Sequence, residues 1–201
     1  MSRIVLASSN QGKLVEFGEL LADTGFDIVT QGSLGVEDAE ETGLTFVENA
    51  LLKARHAARV TGLPALADDS GLCVAHLNGA PGLYSARYSG GHGDAAANNA
   101  KLLDALDGVP TEQRGAFFIC VLVLLQHADD PAPLIAEGRW YGRILTEGRG
   151  TGGFGYNPVF LPEGRSESVA EMDVALKNAL SHRGQALVKL HTQLAERHPA
   201  G

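Results

Sequence analysis

The chain has 201 residues, of which 44% are hydrophobic and 20% charged, and its formal net charge is −8. These values predict one globular domain over residues 1–201, and they exclude a membrane-spanning protein because the longest apolar run, residues 116–125, is far shorter than the about 20 residues that a spanning helix needs. The acidic balance argues against general binding to nucleic acid or to anionic membranes. With no secretory leader and only two cysteines, a cytoplasmic protein is expected.

Strands and a helix alternate at the beginning of the chain. Residues 3–7 predict an apolar strand, and a polar loop follows at 8–13. The next segment carries apolar residues at helical spacing, namely Leu14, Phe17, Leu20 and Leu21. Gly25 is the expected end of this helix, and residues 26–30 alternate as a second strand.

A capping box predicts where the next helix begins. Thr45 and Glu48 have the spacing of this motif, and the helix is expected to run to about Val60, where Gly62 ends it. Residues 64–67 then predict a strand. We expect that strand to stop abruptly in a turn at 68–71, because Asp-Asp-Ser-Gly is an ordinary turn composition, and the chain to become extended again at 72–74.

The remainder predicts a buried central strand and a helical end. Asp94 is the expected cap of a helix that stops at Gly108, and residues 117–125 are a continuous apolar run typical of a strand buried on both faces. Further strands are expected at 134–136 and 140–145, and a break at 181–184 divides the helical C-terminal third. The order of elements predicts an α/β fold with a mixed sheet flanked by helices and room for a second lobe.

Two polar segments follow predicted strands directly. The first, Ser8-Ser9-Asn10-Gln11-Gly12-Lys13, opens a helix, where backbone N–H groups and the helix dipole attract anions; it lacks the glycine and Lys-Ser/Thr pair of a Walker A motif. In the second, Asp68 and Asp69 would point to opposite sides of an extended strand and could bind a divalent metal or act as a general base. Alone, the first segment is equally typical of a plain polar turn, and the second is more typical of an ordinary turn than of a site.

Three further groups extend this set. The acidic pair Glu40-Glu41 could share a Mg²⁺ ion with Asp69, because Mg²⁺ usually takes one or two protein carboxylates together with phosphate oxygens. The glycines and aromatic residues of 152–158 would let a planar base lie against backbone. Lys177 and the segment 181–184 supply donors for phosphate or base carbonyls. Taken together, these residues are what a Mg²⁺-dependent nucleotide enzyme requires.

Seven blocks of this sequence resemble the inosine triphosphate pyrophosphatase family in its bacterial form, and they appear in the family's order along nearly the whole chain. The blocks begin at Ser9, Glu41, Lys53, Ala67, Gly79, Gly152 and Ser181. Among them, Asp68-Asp69-Ser70-Gly71-Leu72 and Ser181-His182-Arg183-Gly184 are the most specific.

The resemblance implies hydrolysis of ITP, dITP and XTP to the monophosphate and pyrophosphate by a Mg²⁺-dependent homodimer. It also implies a two-lobed fold with an elongated central sheet and an active-site cleft between the lobes. Glu40 and Asp69 would hold the metal, Asp69 would accept the proton, and Lys53 is a further phosphate contact. The substrate would be bound by Ser8, Ser9, Asn10, Gln11, Gly12, Lys13, Ser70, Phe154, Gly155, Tyr156, Asn157, Lys177, His182 and Arg183.

This sequence departs from the family pattern at two places. Ser8-Ser9 stands where Thr-Gly is usual, and Asn157 stands where an aspartate is usual, which keeps a carbonyl acceptor but removes a charge. Two other functions are compatible with the motifs. One is a pyrophosphatase for canonical nucleotides of the related septum-inhibitor fold, and the other is a nucleotide sensor without turnover. A P-loop kinase is excluded by the missing motif.

Overall fold

One six-stranded sheet forms the framework of the protein. The computed structural model describes residues 3–21, 26–91 and 93–197. In chain order the strands are Arg3–Ala7 (β1), Asp27–Thr30 (β2), Ala65–Val74 (β3), Gly115–Leu125 (β4), Leu134–Ile144 (β5) and Phe160–Pro162 (β6). Their order in the sheet is β2-β1-β3-β4-β5-β6. The long apolar strand β4 therefore lies in the interior of the sheet, as predicted.

The parallel part of the sheet brings two polar segments together. β1 is parallel to both β2 and β3, and Ala7 is paired with Ala67. Because neighbouring parallel strands end at the same edge of a sheet, the residues after Ala7 and the residues after Ala67 lie side by side. β6 is antiparallel to β5, which confirms the predicted mixed sheet.

Five α-helices accompany the strands in the described residues. They are Gln11–Leu21 (α1), Phe46–Thr61 (α2), Ala95–Ala105 (α3), Val174–Leu180 (α4) and His182–Arg197 (α5). None of them is long and apolar enough to cross a membrane. The predicted end of α1 at Gly25 lies outside the described residues, as do the side chains of Gln11, Leu20 and Leu21.

The capping box of α2 is confirmed. The Thr45 hydroxyl accepts the N–H of Glu48, and the Glu48 carboxylate accepts the N–H of Leu44, one residue before the cap. Gly62 ends the helix with φ of 68°, a left-handed conformation that glycine adopts without steric cost. A Thr-to-Glu spacing of three thus placed this helix correctly from the sequence.

The chain divides into two units, each with its own apolar core. Unit 1 takes its described residues from 1–69, 120–138 and 183–201, and unit 2 from 70–119 and 139–182. Phe17, Leu66, Leu122 and Leu190 are at most 2% exposed in the core of unit 1. Among the described residues, the core of unit 2 is the more aromatic of the two; it includes Leu102, Phe118, Trp140, Tyr156 and Phe160.

The structure corrects the predicted turn at residues 68–71. β3 continues through Asp68, Asp69, Ser70 and Gly71 without a break. Both aspartates are nearly buried and each meets a lysine at 2.8–2.9 Å. Because these long-range ion pairs neutralise the carboxylates, the strand does not have to end where its composition suggests.

Three other boundaries differ from the sequence prediction. α1 begins at Gln11 rather than after Lys13, because Asn10 caps it by accepting the N–H of Lys13 at 3.1 Å. The two strands expected at 134–136 and 140–145 are one strand, β5, whose side chains alternate between buried and exposed through the polar middle. The helical break predicted at 181–184 is confined to Ser181, since α5 begins at His182.

Candidate active site

The segment after β1 is held in place by its own polar side chains. Ser8 is 9% exposed and its hydroxyl accepts the N–H of Asn10, while Ser9 donates its hydroxyl to Asp38 of the acidic loop. Lys13 lies in the first turn of α1. Backbone N–H groups at this helix start, together with the lysine, form a positively charged end that suits phosphate.

Asp68 and Asp69 have different partners because they are adjacent in a strand. Asp68 is 1% exposed, and its Oδ2 lies 2.8 Å from Lys13 Nζ and 4.0 Å from Arg183 Nε. Asp69 is 7% exposed, and its Oδ1 lies 2.9 Å from Lys53 Nζ. The strand thus presents one carboxylate to the α1 lysine and the other to the α2 lysine.

The two carboxyl groups are also shifted in opposite directions. Burial would raise the pKa of Asp68, but the charges of Lys13, Arg183 and Lys53 outweigh it and hold that pKa well below its usual range. For Asp69 burial prevails over Lys53 and Lys13, so its pKa is raised. A buried carboxylate with a raised pKa beside a cation has the properties of a general base.

Lys53 joins Asp69 to the acidic loop. Its ammonium lies 2.8 Å from Glu41 Oε1 and 2.9 Å from Asp69 Oδ1. Burial disfavours its charged form, yet Asp68, Asp69 and Glu41 together raise its pKa, so Lys53 remains charged. Two carboxylates therefore converge on one cation at this point of unit 1.

The same two carboxylates are of the residue type that Mg²⁺ prefers. Within residues 3–21, 26–91 and 93–197, no group of three or more His, Cys, Asp or Glu side chains could hold a metal ion. Glu41 and Asp69 nevertheless provide two hard oxygen ligands, which is the usual protein share for Mg²⁺ when phosphate supplies the rest. Glu40, the loop residue expected to bind the metal, is exposed, and its role stays a prediction.

The segment predicted to accommodate a planar base, residues 152–157 with their glycines and aromatic rings, lies in unit 2. Tyr156 is buried and donates its hydroxyl to the carbonyl of Ser85 at 2.8 Å. The carbonyl of Gly155 accepts from Asn99 Nδ2 at 3.0 Å. The Phe154 ring is half-buried, and the Lys177 ammonium lies 6.0 Å from its centroid. These contacts hold one aromatic ring partly open beside a buried lysine.

Asn157 is buried within this segment at 7% exposure. Its backbone accepts the N–H of Ala170, and among the described residues its Nδ2 has no hydrogen-bond partner. A side chain on Gly153, which has φ of +75°, would collide with the Asn157 amide. An uncharged amide needs no counter-ion here, which explains how asparagine is accommodated where the resembling family usually has aspartate.

The donor segment near the C-terminus is divided between the two units. In unit 2, Lys177 is 8% exposed, and the His182 ring stacks on Phe118 with centroids 4.9 Å apart. In unit 1, Arg183 Nη1 donates to Glu16 Oε2 at 2.6 Å. The half-buried Ser70 is the first residue of unit 2 on β3. Each of these predicted substrate residues therefore lies on a regular element or at its edge.

Comparison with known proteins decides the family. A sequence profile of the Ham1 family matches residues 4–193, which is most of the chain. This chain belongs to the Ham1 family.

Other Ham1-related proteins match over nearly their full length. A dITP/XTP pyrophosphatase of Xanthomonas campestris is 64% identical over 96% of this chain and 98% of its own. One of Vibrio cholerae is 55% identical over 98% of both chains. The structure of a HAM1 protein from Coxiella burnetii superposes with a TM-score of 0.89 at 52% identity, covering 98% of this chain and all of that one.

The structure adds ion-pair partners to the predicted site of this Ham1 chain. The resemblance assigned the metal to Glu40, but the loop carboxylate that meets Lys53 is that of Glu41. Glu16 pairs with Arg183, and Asp68 with Lys13. The three-residue spacing of Lys13 and Glu16 on one helix face is the signal that would have pointed to Glu16.

Proposed function

We propose that this protein hydrolyses non-canonical purine nucleoside triphosphates, namely dITP, ITP and XTP, to the monophosphate and pyrophosphate. The observation that carries the proposal is the Glu41–Lys53–Asp69 cluster. Next to Asp69 on β3, Asp68 forms an ion pair with Lys13 of α1. The protein has a net charge of −8, and this cluster brings lysines and paired carboxylates together, as binding of a polyphosphate requires. The names of the Xanthomonas and Vibrio relatives, dITP/XTP pyrophosphatase, support two of these substrates, dITP and XTP.

The residues of unit 1 have distinct roles in this reaction. Asp69 accepts a proton from the water that attacks the α-phosphorus, because its raised pKa makes it a better base than an exposed aspartate. Lys13 and the N–H groups at the start of α1 stabilise the charge on the departing pyrophosphate. Mg²⁺ held by Glu41 and Asp69, or by Glu40 as the resemblance implies, would supply Lewis-acid stabilisation and a more acidic water.

Base selection is assigned to the donors and the aromatic ring. Hypoxanthine and xanthine have a carbonyl at position six, whereas adenine has an amino donor there. If His182 or Arg183 donates to that carbonyl, adenine leaves the donor unpaired, at a cost of about 1–3 kcal/mol. Phe154 offers a face on which the purine can stack, with Lys177 beside it.

A panel assay tests the proposal. Pyrophosphate and orthophosphate are measured separately with ITP, dITP, XTP, GTP and ATP, each with and without Mg²⁺. We expect pyrophosphate, not orthophosphate, with rates on the first three well above those on GTP and ATP. Equal rates on all five would favour the canonical-nucleotide enzyme, and binding without turnover would favour the sensor.

Assembly and location complete the proposal. We infer a homodimer, as the family resemblance implies, and a cytoplasmic location, because Cys73 and Cys120 are both free thiols. Light scattering at several protein concentrations measures the mass in solution. A mass equal to one chain at all concentrations contradicts the dimer.

A further inference from the structure

Four buried side chains of unit 1 form a row of alternating charge. Lys13 Nζ lies 2.8 Å from Asp68, Asp68 lies 4.0 Å from Arg183, and Arg183 lies 2.6 Å from Glu16. Their side chains are between 0% and 14% exposed. We call these residues the ionic row.

The ionic row is costly for the fold alone. Removing charged groups from water costs several kcal/mol each, and well-packed apolar residues often stabilise a protein as much as a buried ion pair. The two cations of the row, Lys13 and Arg183, are residues expected to bind substrate. The two anions, Asp68 and Glu16, have the geometry of their counter-ions. The ionic row is therefore better explained by substrate binding than by stabilisation of the fold.

Asp68 is the member that touches both cations. The same carboxylate oxygen, Asp68 Oδ2, faces both Lys13 and Arg183, and it lies closer to Lys13. When the Lys13 ammonium turns toward a phosphate, it gives up part of its attraction to Asp68. The Asp68 carboxylate, released from Lys13, can then move closer to Arg183 and attract it more strongly.

We propose that Asp68 is a positioning residue that couples phosphate binding to base selection. It competes with phosphate for Lys13, and it holds the Arg183 guanidinium, together with Glu16, in the orientation that meets the base carbonyl. This inference rests on the proposed function. It adds that the two ends of the substrate are recognised through one shared carboxylate.

The test uses Asp68→Asn and Glu16→Gln, which keep shape and remove charge. For each variant we measure kcat/KM on ITP and on ATP, and the inhibition constant of inorganic pyrophosphate, a probe with no base. Asp27→Asn is the matched control, because Asp27 forms an exposed ion pair with Arg3 on β1 and β2. Thermal unfolding shows whether each variant is folded.

The proposal predicts different results for the two variants. Both variants lower the ratio of kcat/KM for ITP to kcat/KM for ATP at least fivefold, because Arg183 loses a counter-ion. Only Asp68→Asn binds pyrophosphate more tightly, at least threefold, because Lys13 loses its internal competitor. Glu16→Gln and the control change pyrophosphate inhibition less than twofold.

The opposite results would overturn it. If Asp68→Asn leaves the ITP-to-ATP preference unchanged, or binds pyrophosphate more weakly, Asp68 does not couple the two ends. Should Asp68→Asn fail to fold, an unchanged preference in Glu16→Gln is sufficient to reject the role of the row. A wild-type protein that does not hydrolyse ITP at all would instead reject the proposed function.

Discussion

The predicted site residues of unit 1 and those of unit 2 are positioned by different physical means. In unit 1, the functional side chains lie on α1, α2, β3 and α5 and are positioned by ion pairs of 2.6–2.9 Å. In unit 2, the segment 152–157 has little regular structure and is positioned by hydrogen bonds to its backbone and by close glycine packing. Charge placement therefore controls the first region, and backbone shape controls the second.

This difference predicts separate effects on the reaction. Loss of the Asp69 charge in unit 1 should act on the chemical step. Changes of shape in unit 2 should act on binding of the base or on stability. Three experiments test this division, in order of decreasing effect.

Asp69→Asn should nearly abolish turnover, because a positioned general base contributes about 10²–10⁴-fold. The unfolding temperature should remain close to the wild type, since burial already disfavours the charged form of Asp69. In the wild type, kcat/KM should rise with pH through a pKa above that of an ordinary aspartate, because only the deprotonated carboxylate accepts a proton.

Pyrophosphate release from ITP, measured across pH, checks both statements. A variant that keeps more than a tenth of the wild-type rate means that another group is the base. The absence of an acidic limb in the wild-type profile would contradict the raised pKa.

Phe154→Leu should raise KM for ITP about 5- to 100-fold, because stacking of a base on an aromatic ring contributes about 1–3 kcal/mol. The value of kcat should change little, since Phe154 belongs to unit 2 and not to the charged cluster. Phe117→Leu is the control: Phe117 is a half-buried ring of the same unit, paired with Tyr141 at 5.5 Å and absent from the predicted site. Equal effects of the two substitutions on KM would remove Phe154 from the base site.

Gly153→Ala and Gly155→Ala separate backbone conformation from packing. Both glycines have positive φ, +75° and +63°, so each alanine should cost about 1–2 kcal/mol of unfolding free energy. At Gly155 the new Cβ meets nothing within 4 Å, whereas at Gly153 it meets the Asn157 amide. Gly153→Ala should therefore cost about 1–3 kcal/mol more, as overpacking does. Urea unfolding measures the difference, and equal costs would show that Asn157 moves away freely.

Local signals predicted much of the fold. The apolar run of β4 and the Thr45–Glu48 capping box each depend on neighbours in sequence, and both were confirmed. The continuity of β3 could not be predicted in this way. It depends on Lys13 and Lys53, which lie on two other elements and neutralise the Asp68 and Asp69 carboxylates.

The same distinction between local signals and distant contacts applies to the residues of the candidate site. Motif resemblance named Lys13, Asp69 and Arg183, because each lies in a recognisable block. It did not name Glu16, and it assigned Glu40 rather than Glu41, because Glu16 and Glu41 make their contacts with residues 167 and 12 positions away along the chain. Pairing between distant charges is a property of the folded chain that no short pattern contains.

The unbroken course of β3 through Asp68 and Asp69 has a consequence for how this protein can change. Side chains alternate along a strand, so deleting or inserting one residue before Asp68 would exchange the surroundings of the two carboxylates. Asp69, the proposed base, would then face Lys13 of α1, and Asp68 would face the acidic loop. Only length changes by an even number of residues keep each aspartate on its own side, which makes the length of the strand before Asp68 as strict a requirement as the identity of its residues.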